Sequence, residues 1–282
     1  LQVCEQVARD LMPVHWPETK LHEWLVGKAA PGAVIGFDPW LHTVEQVETL
    51  RTGLQGTGIL LAACSNGIDA IWTDRPAPPN APAWAHPPHL CGDTAEAKTR
   101  RLGAAIAAQA AQTAVITLPD SLCWLLNLRG SDVPRTPIVH CFGLLSDHGA
   151  LTLFGDEMKF TDLTLPDTVT LAPWKAFPRY LKDLSGTVLI EPASLPQAAL
   201  DVLSAGSAKI LRGLDPCSLP KACKTATELD GCRAAHLRDG AAVVRFLAWF
   251  DRADTSRLSE IDIVTRLETY RAATNLLHDI SF

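Results

Sequence analysis

The sequence predicts an α/β fold, and three observations carry that expectation. Short runs of aliphatic and β-branched residues alternate along the 282-residue chain with longer runs of helical spacing, the pattern of layered sheet and helix. Several helical runs open on a Thr, Ser or Asp with Gln, Glu or Asp three residues later, which lets side chains and amides bond reciprocally at a helix start. A composition of 47% hydrophobic and 20% charged residues is ordinary for a globular chain with a large core.

Taken in order, residues 34–37 read as a strand. Thr43 with Gln46 forms a capping box, and Gly53 and Gly56 end the helix it opens. Residues 59–62 are a second strand and 66–72 a short helical piece. Residues 73–88 follow, carrying Pro76, Pro78, Pro79, Pro82, Pro87 and Pro88. Proline lacks an N–H and fixes φ, so this stretch reads as a linker or extended segment and as a domain boundary.

A second domain restarts at Asp93, which with Glu96 reads as the capping box of an Ala-rich helix running to about residue 111. Residues 114–118 are a buried strand, and Pro119-Asp120-Ser121 opens a short helix carrying Trp124 and Leu125. The turn RGSDVP follows. Residues 138–145 and 150–154 pair as a hairpin around Asp147-His148-Gly149. Residues 174–184 are helical with a kink at Pro178, 188–191 a strand, 194–203 a helix and 208–211 a final strand. These elements complete one α/β domain.

After the connection DPCSLPKACK (215–224), Thr225 and Glu228 cap a long helix. Its positions Leu229, Cys232, His236, Val243, Leu247 and Phe250 follow helical spacing and predict one buried face. Ser259 and Asp262 begin another helix, with Ile261, Val264, Leu267 and Tyr270 along one side. Two striped helices in 219–282 have no sheet of their own to cover, so this region is expected to be part of something larger. The predicted organisation is 1–88, 89–218 and 219–282. The opening LQVCEQV reads as the end of an element begun earlier, so the chain is expected to be a fragment.

A net charge of −6 and a pI near 5.8 argue against nucleic acid as partner, since displacing counterions from phosphates needs a basic face. No apolar run reaches the roughly 18 residues of a membrane span; the best, 241–250, is interrupted by Arg245. Eight cysteines at irregular spacing, none as Cys-x-x-Cys, predict free thiols in a reducing, cytosolic compartment.

Arg129, Ser131 and Asp132 are the leading candidate site. In one reading they line a substrate cleft, with Arg129 gripping a peptide carboxylate and Asp132 orienting it or meeting a free amine. In the other, Asp132 pairs with Arg129 or caps local amides. His86, His89 and Cys91 lie close together but lack a fourth ligand for a metal, and Cys217 and Cys223 lack zinc-knuckle spacing. His236 reads as a packed histidine bonded to a carbonyl, with a catalytic base as the alternative. Asp251, Asp254, Glu260 and Asp262 read as helix ends and caps. Nucleophile elbows, His-Glu-x-x-His, phosphate loops and Gly-x-Gly-x-x-Gly are absent from the sequence.

Three stretches, IWTDRP (71–76), WLLNLRGSDVP (124–134) and ELDGCRAAHLRDGAAVVRFLAWF (228–250), together resemble the three-domain Xaa-Pro aminopeptidases of the creatinase/prolidase, or pita-bread, superfamily. The resemblance implies creatinase N-terminal-type domains with a mixed sheet and flanking helices, one incomplete and one complete, followed by the first helices of a pita-bread catalytic domain. It implies a cytoplasmic, homodimeric enzyme that releases an N-terminal residue preceding proline. It implies two divalent metal ions, usually manganese, held by two aspartates, one histidine and two glutamates, all in a region this chain does not contain. On that reading the chain alone holds no catalytic metal and is inactive. Only Arg129 and Asp132 are carried over as cleft candidates. Cys4, Cys223 and Cys232 depart from commoner residue types without touching chemistry. The competing expectation is a non-enzymatic peptide- or protein-binding module, as in metal-free relatives such as the large histone-chaperone subunit of eukaryotes.

Overall fold

The computed structural model describes residues 2–16 and 18–280. Helices α1 (Gln2–Gln6) and α2 (Leu21–Lys28) precede β1 (Val34–Phe37), α3 (Val44–Gly53), β2 (Leu60–Ala63) and α4 (Gly67–Ile71). Then come β3 (Trp84–Ala85), α5 (Pro88–Cys91), α6 (Ala95–Ala108), β4 (Thr113–Ile116), α7 (Pro119–Leu126) and β5 (Leu128–Arg129). The hairpin β6 (Phe142–Ser146) and β7 (Leu151–Gly155) leads to β8 (Val169–Pro173), α8 (Phe177–Asp183), β9 (Thr187–Ile190), α9 (Gln197–Ser204) and β10 (Lys209–Arg212). Helices α10 (Ser218–Ala222), α11 (Ala226–Phe250) and α12 (Glu260–Ala272) follow. The described chain divides into two compact units, Leu1–Pro76 with Pro192–Gly206, and Ala77–Glu191 with Ser207–Phe282.

In the first unit β1 and β2 pair in parallel, Val34 opposite Leu60 through Phe37 opposite Ala63. Helix α3 starts as the sequence predicts: the Gln46 amide donates to the Thr43 hydroxyl and the Thr43 amide to the Gln46 side chain. Leu25, Leu54 and Ile59 form a small core. The segment carrying α9 joins this unit through backbone bonds, with the Val44 amide donating to Leu195 O at 2.9 Å and the Gln197 amide to His42 O at 2.9 Å.

The second unit is built on a six-stranded mixed sheet in the order β10-β9-β4-β6-β7-β8. Strands β10, β9 and β4 run parallel, β4, β6 and β7 antiparallel in turn, and β8 parallel to β7. Leu102, Ile106, Ala114, Ile116, Leu122, Leu125, Leu145, Leu151, Leu153 and Leu189 are buried in one cluster. Each large aliphatic side chain so buried contributes about 1.5–3 kcal/mol. Gly103 lets α6 approach the β6–β7 hairpin: a Cβ there would lie 2.6 Å from the Gly149 amide nitrogen. A two-stranded antiparallel ribbon pairs Trp84 with Arg129 and Ala85 with Leu128.

Several expectations are corrected. The proline-rich stretch takes its extended reading at Trp84 and Ala85, which lie between prolines and join the β3–β5 ladder, so the corrections concern other elements. Thr94, not Asp93, caps α6, accepting from the Ala97 amide at 3.2 Å; the Asp93 carboxylate pairs with Arg101 instead. Pro178 does not kink a helix. It occupies the first turn of α8, after the 3₁₀ turn Trp174–Ala176, where a missing N–H costs nothing. Strand β8 was not anticipated. The stripe on α11 is not buried either: Ala242 is the one buried residue among those described in this helix, while Leu229 is 41% and Leu247 50% exposed. Helices α11 and α12 meet through a two-point Arg271–Asp239 ion pair, at 2.6 and 3.2 Å, and leave these aliphatic side chains in solvent.

Candidate functional site

The segment 128–140 is a tethered turn. Strand β5 delivers Leu128 buried and Arg129 half-buried, and Gly130 follows where only glycine fits. A Cβ at Gly130 would stand 2.5 Å from Val139 Cγ2 and 2.8 Å from Ile138 O. Asp132 then turns inward, 5% exposed. Its Oδ2 accepts from the His140 amide at 2.6 Å and from Lys159 Nζ at 2.6 Å, and its Oδ1 accepts from none of the described residues. The Asp132 amide donates to Ile138 O, and Val133 bridges Thr136, closing the loop at its base. Lys159 lies in a 3₁₀ turn capped by Asp156, and its carbonyl accepts from the Ala83 amide at 2.8 Å. Turn and ribbon are therefore fastened by one buried ion pair.

The sequence brings Arg129 and Asp132 near each other but the structure does not pair them. Asp132 is taken by Lys159, while Arg129 Nη1 donates to Leu128 O at 2.7 Å. Ser131 is exposed. Val133, Pro134, Arg135 and Thr136 wall a cavity of about 340 Å³ together with His278 and Asp279. The His278 ring packs on Trp84 of β3, centroids 5.6 Å apart.

Sequence reasoning missed Lys98, which is 1% exposed. Its Nζ donates to Trp124 O at 2.8 Å and Asn127 Oδ1 at 2.7 Å, and lies 4.5 Å from the Trp124 ring centroid. Asn127 ends α7 in the left-handed region at φ 53, donates from Nδ2 to Asp93 O, and accepts the His86 amide at its own carbonyl. One lysine and one asparagine thus tie α6, α7 and β3 together just before the turn. Burial pulls the Lys98 pKa below the usual lysine value, with nearby Cys91, Glu228 and Asp93 opposing the shift. Burial, then the Arg129 and Lys98 charges, lowers His86, and burial raises the Cys91 thiol. The signal in the sequence was a lysine on the apolar face of α6, in step with Ala95, Leu102 and Ile106.

The remaining candidates scatter. Cys91 donates to Pro87 O at 3.2 Å rather than joining His86 and His89 around a centre. Cys217 is buried and Cys223 exposed, and all eight cysteines are free. His236 Nδ1 bonds Cys232 O at 2.8 Å, the carbonyl bond the sequence suggests, but on an exposed face rather than a packed one. Asp254 caps Ser256 and Asp262 forms the box with Ser259; Asp251 and Glu260 are exposed. The donor set implied by the resemblance is not assembled. Among the described residues no group of three or more His, Cys, Asp or Glu is placed to hold a metal ion, so the residues present do not fit such a centre. No described helix is long and apolar enough to cross a membrane.

A mixed sheet with a parallel half, an antiparallel hairpin and a tethered polar turn at its ribbon defines an α/β module outside the doubly wound class. The Creatinase/Prolidase N-terminal domain family matches residues 74–228, and the chain belongs to that family. It is 31% identical over 280 residues to the Probable Xaa-Pro aminopeptidase P of Coccidioides posadasii, covering 92% of this chain and 42% of that protein. The Neosartorya fischeri protein of the same name is 30% identical over 277 residues, with the same coverage of 92% and 42%. The crystal structure of X-prolyl aminopeptidase from Caenorhabditis elegans, described as a cytosolic enzyme with a di-nuclear active site, matches with TM-score 0.81 at 25% identity, covering 98% of this chain and 46% of that one. The chain thus spans less than half the length of these relatives. The mixed α/β fold and the superfamily read from the sequence both hold.

Proposed function

We propose that the chain is the supporting, N-terminal portion of a metal-dependent Xaa-Pro aminopeptidase. In this reading the whole protein is cytosolic and homodimeric, and it releases the first residue of peptides that carry proline second. The observation that carries the proposal is the continuous similarity to Xaa-Pro aminopeptidases along nearly the full chain. The solvent-exposed stripe of α11 and α12 supports it, since such faces suit helices that open a further domain. We assign 1–88 to a first domain with linker, 89–218 to a second, and 219–282 to the start of the catalytic domain.

An Xaa-Pro bond is a tertiary amide without N–H, so a peptidase acting on it must hold its substrate by other groups. Arg129 and the turn fixed by Asp132 are the groups this chain contributes to the cleft. The two divalent metal ions, manganese in this reading, are held by residues outside these 282. Assays of Ala-Pro peptides with added manganese test the proposal. A longer polypeptide that includes the rest of the reading frame should release alanine, and the 282-residue chain should release none. Release by the short chain overturns its inactivity; no release by the long one overturns the aminopeptidase and favours a non-enzymatic binding module.

A further inference from the structure

Around His86 the charges are unbalanced at a joint between several elements. The residue follows β3 and is half-buried; its amide donates to Asn127 O at 2.7 Å and its carbonyl accepts from Cys91 Sγ at 3.5 Å. Helix α5 carries the contact on to α11, where the Thr225 hydroxyl donates to Cys91 O at 3.4 Å. Four charged or titratable groups act on the His86 imidazole: Arg129 from β5, Lys98 from α6, His89 from α5 and Glu228 from α11. Lys98 is spent on its two acceptors and the Trp124 face. Among the described residues that act on the imidazole, Glu228 is the one carboxylate, and its Oε2 already accepts the Thr225 amide at 2.8 Å. The adjoining Cys91 thiol stays protonated, because burial raises it. A proton on His86 therefore adds charge to a half-buried spot where two cations face one anion.

We propose that this joint is an acid-sensitive latch: neutral His86 keeps the β3–β5 ribbon, α5 and the first turn of α11 together, and its protonation drives them apart. The parts that would give are lightly held. Helix α5 is four residues long with Cys91 its one buried residue among those described, and single hydrogen bonds link it to ribbon and α11. Burial first, then the charges of Arg129 and Lys98, holds His86 below the usual histidine value, while Glu228 opposes them. The opened joint returns the imidazole to water and to its ordinary proton affinity, so acid favours opening. The sign follows from the direction of that shift. The latch contributes its full stability above the ordinary histidine pKa of about 6.5, and the contribution is lost as pH falls towards the lower value of the closed form. Each unit of lowering allows up to about a tenfold gain in the open population.

The test combines histidine NMR and amide hydrogen exchange on the 282-residue chain, wild type and His86→Gln, between about pH 7.5 and 5. The His86 imidazole should titrate below about 6.5. Two amides report on the joint: His86, bonded to Asn127 O, and Leu229, bonded to Thr225 O in the first turn of α11. Their protection factors, corrected for the intrinsic effect of pH on exchange, should fall about threefold to tenfold in the wild type and stay level in H86Q. Val115 in β4 should keep its protection in both. Glu228→Gln is the second arm, decisive where H86Q does not fold. Glutamine preserves the capping box and removes the one carboxylate, so the His86 midpoint should drop further and the loss of protection deepen. A His86 midpoint at or above the ordinary value, no loss in the wild type, an equal loss in H86Q, or a midpoint that E228Q leaves unmoved or raises overturns the latch. Hydrolysis plays no part in these readouts, so failure of the aminopeptidase reading registers separately, in the release assay.

Discussion

Asp132 and Lys159 have side chains 1% and 3% exposed, and among the described residues each is the other's only ion-pair partner. Removing one partner of such a pair strands a buried charge and costs about 3–5 kcal/mol, whereas removing both is far milder. D132N, which strands the Lys159 charge, is therefore expected to lower the urea midpoint strongly at unchanged m-value, with D132N/K159M recovering much of the loss. A D132N cost below about 1 kcal/mol would show that the pair does not hold the turn. The polar turn itself was legible in the sequence, because Arg, Ser and Asp after an apolar run announce it. Its partner was not. Lys159 lies 27 positions on, and no local periodicity links two charges across that span. Lys98 was legible in principle, as a cation in the apolar register of α6, but its acceptors Trp124 O and Asn127 Oδ1 belong to another helix end.

At the scale of elements, two glycines make opposite predictions. Gly103→Ala drives a methyl into the backbone of Ser146, Asp147 and Gly149, so the gain in helix propensity is overwhelmed and the protein loses about 1–3 kcal/mol. Gly240→Ala meets nothing within 4 Å on an exposed face of α11 and should stabilise by about 0.5–1 kcal/mol. Opposite shifts in the denaturation midpoint check the contrast; a stabilising G103A would mean α6 does not touch the hairpin. The helices were the most readable elements, since capping boxes at Thr43, Thr225 and Ser259 are closed by residues three positions away. Strand β8 was hidden because its identity comes from pairing Val169 with Leu151 across a 3₁₀ turn, and β3 because prolines mask the two residues that pair. The cap of α6 shifted by one position because Asp93 and Thr94 are both competent and only packing chooses.

For the whole molecule, packing is uneven. The sheet of the second unit is buried through β4, β6 and β9, whereas α12 has no buried residue among those described. Native-state hydrogen exchange should reflect this, with α12 and the C-terminal half of α11 exchanging well before β4 and β9. Protection of α12 equal to that of β4 would refute it. The stripes were readable as stripes, but a spacing pattern reports an apolar face and not whether anything covers it.

The sheet's two outermost strands have a consequence for how the chain behaves at high concentration. On one side β10 begins at Lys209 and ends at Arg212, both exposed; on the other β8 ends at Pro173, which has no amide to offer. Charges and a missing donor at a ladder's margin discourage a neighbouring molecule from adding its own strand. Fibril-like growth by sheet extension is thereby disfavoured at both borders, which leaves the exposed aliphatic side chains of the two long helices as the stickier surface.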